Sequence, residues 1–196
     1  LFERVGAAAD NGTVETFTTA RAPHWNVTGL AASAGAATFV YERTALVGFP
    51  LLLTAAGGAQ QNYVDVDSIT GLAANDYVVI DEGTATEEYR QIGLVDTTRF
   101  RLWFRGPLSY GMKTGLRSAH AAGGTVQEVT LTARTAGTQY TLDPATGVIT
   151  EVAAASFTAG NAIVVSYMTD FVMPSVYPPP FDDSPDLDET WGEWNG

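Results

Sequence analysis

A chain of 196 residues is long enough for one large domain or two small ones, and its 45% apolar content can build a core. With 20 glycines and only 16% charged residues it reads as ordered and β-leaning. The absence of cysteine excludes disulfides, thiolate catalysis and cysteine-based zinc sites, and a formal net charge of −12, with Lys113 the single lysine, argues against gripping a nucleic-acid backbone.

Taken in order, Leu1–Asp10 has mixed character and fits a single helical turn or an arm. Thr13–Thr19 alternates and is rich in β-branched residues, which predicts a strand ended by Pro23 and Asn26. Thr38–Glu42 predicts a second strand, with Phe39 and Tyr41 on one face and Val40 on the other. Ala45–Ala56 is the most apolar run, but Gly48 and Pro50 break it, and no run reaches the ~18 apolar residues that a bilayer span needs. Five further strands are expected at Tyr63–Val66, Tyr77–Ile80, Glu87–Ile92, Phe100–Phe104 and Thr125–Val129, separated by turn residues. That spacing predicts a small barrel or sandwich. No segment carries an i, i+3, i+4, i+7 apolar stripe, so the fold class is all-β.

The strongest local signal lies between Gln139 and Tyr167. Gln139–Leu142 and Val148–Thr150 flank Asp143-Pro144-Ala145-Thr146-Gly147. There Asp143 can cap the turn, Pro144 pre-sets φ, and Gly147 can take φ > 0 without a steric penalty. This predicts a hairpin with a five-residue loop. After the turn signal Ala159-Gly160-Asn161, a third strand sets Ile163, Val165 and Tyr167 on one face and Val164 and Ser166 on the other.

The sequence YTLDPATGVIT…FTAGNAIVVSY resembles a β-module that recurs in structural proteins of tailed bacteriophages. In those proteins a hairpin of this type leads into a strand of the pattern a-G-x-x-(V/I)-x-V-x-Y. The resemblance spans a minor part of the chain. It implies a β-sandwich of the kind used in virion and adhesin-like parts, without saying which part. In the related modules a strand ending V-Y-x-x-x-x-L leads quickly into the hairpin, whereas here residues 48–128 intervene. The expected organisation is therefore two small β-sandwich or barrel-like domains. Residues 1–47 plus 129–172 would form one, and 48–128 would be a second, inserted into a loop of the first. Plain tandem order is the rival, and pairing between the Phe39–Tyr41 and Ile163–Tyr167 strands would favour insertion.

Residues 173–196 read as an extended C-terminal arm. Pro174, Pro178, Pro179, Pro180 and Pro185 forbid sustained helix or central strand. From Phe181 on the arm is acidic, yet it carries Leu187, Trp191 and Trp194. Such an arm buries too little to order itself, so the expectation is that it lies on a neighbour with Phe181, Trp191 and Trp194 as anchors. Folding back on its own domain is the alternative.

Few residues suggest chemistry. His24 and His120 are the only histidines, and neither has a partner at metal-ligand spacing. His120 stands in an H-x-x-G-x-x-V setting that resembles a strand entry in related β-modules, where the histidine is structural. Asp65, Asp67, Asp81, Glu82, Glu87 and Glu88 lack calcium-loop spacing and read as a solvated face. No nucleophile elbow or phosphate loop occurs. The expectation is no catalytic residue, no cofactor and no metal. Arg99, Arg101, Trp103 and Arg105 share a face if they lie on one strand, and could pair with the acidic arm Asp182–Glu193 of another copy.

The expected function is a non-enzymatic structural subunit of a tailed-phage virion, at the neck or tail or decorating the capsid. Its partners would be other copies of itself, as a homo-oligomer, and neighbouring virion proteins, with no direct nucleic acid and no membrane. A carbohydrate- or receptor-binding module, with Trp25, Trp103 and Tyr110 as a stacking platform, is the alternative.

Overall fold

A computed structural model describes residues 2–8, 13–20, 38–105 and 115–167. The described residues are all-β, with no helix among them. Eleven strands run β1 (Phe2–Ala7), β2 (Thr16–Thr18), β3 (Phe39–Leu52), β4 (Tyr63–Asp65), β5 (Tyr77–Ile80), β6 (Glu88–Asp96), β7 (Arg101–Phe104), β8 (Thr125–Ala133), β9 (Tyr140–Asp143), β10 (Val148–Glu151) and β11 (Ala162–Ser166). One sheet has the order β1-β11-β3-β8-β5-β6-β7-β4, and a second the order β2-β10-β9.

The large sheet curls back on itself. Just past the end of β3, Leu53 bridges Val66, Thr54 donates to the Asp65 carbonyl and Asp67 donates to the Leu52 carbonyl, each at 2.9 Å. These bonds join β4 to β3 and close β3, β8, β5, β6, β7 and β4 into a ring. Closure leaves those strands no free edge where it is made. Leu53, Val64, Val66, Val78, Ile80, Ile92, Leu102, Phe104, Leu116 and Val126 fill the interior. At the other end of the long strands, β1, β11 and the start of β3 pack over β2, β10 and β9. The core there is Ala8, Phe17, Val40, Tyr140, Ile149, Phe157, Ile163, Val165 and Tyr167. A third cluster, Val79, Tyr89, Val129 and Val164, joins the two.

This arrangement explains the strands that are buried on both faces. On β11, Ile163 and Val165 enter the sandwich core while Val164 enters the joining cluster. On β5, Val78 and Ile80 enter the barrel and Val79 the joining cluster. A strand between two apolar layers needs the unbroken apolar run that both sequences show. β11 pairs antiparallel with β3 in the register Val164↔Tyr41 and Ser166↔Phe39. Val47 and Glu128, beside the two ends of residues 48–128, are paired across β3 and β8.

The turn chemistry at 143–147 is as the sequence predicts, but Asp143 pairs with Val148, so the loop is the four residues 144–147 rather than five. Asp143 Oδ1 accepts from the Ala145 N–H at 3.0 Å, Oδ2 accepts from Thr146 Oγ1 at 2.6 Å, and Gly147 sits at φ +70°. Those bonds, from Thr146 and then Ala145, hold the Asp143 carboxyl below its ordinary value.

Two further expectations are corrected. Residues 2–7 form an edge strand rather than a helical turn or a free arm, because β11 supplies the pairing that their own propensity lacks. The second strand does not stop at Glu42 but runs to Leu52. Gly48 and Pro50 are absorbed in a bulge, since Val47 faces Glu128 and Leu51 faces Val126, leaving three residues opposite Gln127 alone. Gly48 takes φ +66° there, and its carbonyl accepts from Gln127 Nε2 at 2.9 Å.

Candidate functional site

The basic and aromatic cluster expected on one strand face is partly assembled. Arg101 and Trp103 lie on β7, opposite Asp65 and Tyr63 of β4. Arg101 forms a two-pronged ion pair with Asp65, at 2.6 and 3.0 Å, and its guanidinium lies 3.7 Å from the centre of the Tyr63 ring. Trp103 tilts against the same ring at 4.9 Å. The guanidinium therefore already has a carboxylate and an aromatic face within its own chain. Arg105 is exposed just beyond β7. Arg99 is a correction. It lies in a turn before β7, where its N–H is capped by Asp96 Oδ1 at 3.2 Å, and Phe100 at φ +50° redirects the chain. It does not share the strand face. Phe181, Trp191 and Trp194, with the rest of the acidic arm, lie outside the described residues, as do His24, Trp25 and Tyr110.

The acids expected on a solvated face are also corrected, because most are tied to partners in the fold. Asp81 follows β5 at φ +51°, with its carboxylate against His120. His120 Nδ1 is 2.7 Å from Asp81 Oδ2, and Nε2 faces Glu88 Oε2 at 3.4 Å, an ion-pair distance rather than a well-formed hydrogen bond. Glu88 takes Arg90 Nε at 2.6 Å and the N–H groups of Arg117 and Ser118 at 2.9 and 3.1 Å. Burial disfavours the imidazolium, but Glu88 and Asp81 outweigh it and raise His120 above its ordinary value. Burial likewise works against the Glu88 carboxylate, and His120, Arg90 and the Ser118 N–H outweigh it, so its pKa is lowered. Glu87, just before β6, accepts from Arg4 at 2.9 Å and from the Gly83 N–H at 2.7 Å. Glu82 pairs with Arg43 at 2.6 Å.

His120 and Glu88 are buried, so this constellation works as a staple between β5, β6 and residues 115–125 rather than as an open site. The same device recurs in the sandwich. Glu42 accepts from Arg134 and from the Thr158 N–H at 3.0 Å, and Glu151 accepts from the N–H groups of Glu15 and Phe157, each at 3.0 Å. A carboxylate that binds backbone N–H groups pins a loop as firmly as a short strand would.

What faces outward is different in kind. β11 covers β3 only as far as Glu42, and β4 meets the chain again at Leu53. Between Arg43 and Leu51, on the side away from β8, no strand among the described residues pairs with β3. This open edge spans about 26 Å at 3.3 Å per residue. Along it Leu46, Val47, Phe49 and Leu52 are exposed, and Phe49, held out by the bulge, is 91% exposed. From Thr44 to Val64 the chain carries no charged residue. The sequence held the signal in its most apolar run, but the breakers Gly48 and Pro50 hid that the run was a strand. An unpaired edge with apolar side chains and no guarding charge is a template for another strand.

Compared with family models, with curated proteins and with solved structures, the chain matches none of them, so its functional reading rests on its own residues.

Proposed function

We propose that the chain is a non-enzymatic structural subunit of a tailed-phage virion, at the neck, in the tail or on the capsid. It works by associating with other copies of itself and with neighbouring virion proteins. One observation carries the reading. Among the described residues the buried charges Glu3, Glu42, Glu87, Glu88, Arg90 and Glu151 serve the fold, while an open, uncharged, apolar strand edge faces outward. Such an edge serves attachment and offers no group for bond chemistry. The phage assignment rests on the hairpin-and-strand module, whose segments form β9, β10 and β11 about the sandwich core. In this reading residues 48–128 are a barrel inserted into a sandwich made of 1–47 and 129–172, and the arm 173–196 reaches a neighbour.

The stacking-platform alternative has less support, since Trp103 is half-buried and leans on Tyr63, whose ring Arg101 covers. The test is the solution mass of the chain by light scattering after size exclusion, with and without residues 174–196. A defined oligomer that loses subunits on truncation is the expected result. A monomer in both forms at every concentration would contradict self-association.

A further inference from the structure

We infer that the open edge of β3 is covered by the same edge of a second copy, antiparallel, about a twofold axis. This rests on the self-association proposed above and names its surface.

Three observations single out a second copy as the occupant. An antiparallel ladder between two identical segments is itself twofold symmetric, so one contact satisfies the free N–H and C=O groups of both copies and closes. The edge also meets the electrostatic condition for like molecules. Two chains of net charge −12 repel over most of their surfaces, and from Thr44 to Val64 there is no charge to oppose approach. Carboxylates flank it: Glu128 lies opposite Val47 on β8, Asp67 accepts from the Leu52 N–H at 2.9 Å, and Glu82 is neutralised by Arg43 at 2.6 Å. A basic partner would find better surfaces elsewhere on an acidic protein, whereas an acidic copy finds its best approach here.

The third observation is the bulge. Gly48 at φ +66° and Pro50, which has no N–H, interrupt a regular ladder and confine the pairing to Arg43–Val47. The same bulge lifts Phe49 out of the strand, where its ring becomes an anchor against the partner. A ladder that stops within a few residues favours a closed pair over open-ended stacking of strands.

The experiment is sedimentation of the full chain over a concentration series, at low and high salt, for the wild type, Leu46→Lys and Phe49→Asp. Both side chains are exposed, so circular dichroism should report an unchanged fold. The wild type is expected to dimerise with rising concentration and more tightly at high salt, as screening removes the general repulsion. Each variant should weaken dimerisation tenfold or more. Folded variants that associate like the wild type would overturn the edge contact and leave self-association standing. A wild type that stays monomeric throughout would overturn both. If deleting residues 168–196 alone turned a monomer into a dimer, the chain's own arm would be the occupant and the second copy would be excluded.

Discussion

His120 shows how a single side chain can be placed by charges that look dispensable in the sequence. Its imidazole lies between Asp81 and Glu88, fully buried, and holds β5, β6 and residues 115–125 together. The pH dependence follows from the directions of the two shifts. His120 is raised above 6.5, so its contribution is complete below 6.5 and is lost as pH rises through its folded value. Glu88 is lowered beneath 4.5, so its contribution is present above 4.5 and is lost as pH falls through its folded value. Thermal unfolding should therefore show a stability plateau between pH 4.5 and 6.5. His120→Gln should remove the alkaline decline attributable to this site and keep the acid one. It should also cost about 1–3 kcal/mol within the plateau, the range for an unsatisfied buried polar group. A variant with an unchanged alkaline limb would show that the histidine does not titrate against its two carboxylates. The structural role of His120 was legible from its sequence setting. Its partners were not, because Asp81 and Glu88 sit among acids that composition alone assigns to solvent.

At the scale of the element, legibility followed turn chemistry and alternation. The 143–147 turn could be read directly, since Asp143, Pro144 and Gly147 each answer a conformational requirement. Gly147→Ala should destabilise the protein by about 1–2 kcal/mol, the cost of a Cβ in the left-handed region, and a denaturant titration would show it. An unchanged midpoint would mean that the turn relaxes to another type. β11 could be read because its two faces serve two apolar layers. β1 and the second half of β3 could not. β1 depends on pairing with β11, a contact far away in sequence, and β3 continues through two residues that usually end a strand. In both places tertiary pairing overrides local preference.

For the molecule as a whole, β3 and β8 are the shared spine, and each contributes to the barrel and to the sheet of the sandwich. The junction is held by Arg4–Glu87, by Arg43–Glu82, and by the cluster around Tyr89 and Val164. Because Val47 and Glu128 are already cross-strand neighbours, replacing residues 48–127 by a two-residue Asn-Gly turn should leave a sandwich that still unfolds cooperatively. Its melting temperature should fall, as the joining cluster loses Val79 and Tyr89. Loss of any cooperative transition would instead mean that barrel and sandwich fold only together. Val47, where this graft would join, lies within the open edge, so fold and proposed attachment share one feature.

If copies meet at this edge, hydrogen–deuterium exchange on the full chain, dilute and concentrated, will report it at the amides of Thr44–Val47. Those that point away from β8 should exchange quickly in dilute solution and slow down on concentration, while the buried strand β5 exchanges equally slowly in both. Equal exchange at Thr44–Val47 in both solutions, in a sample whose mass nonetheless rises with concentration, would place the contact elsewhere and contradict the account.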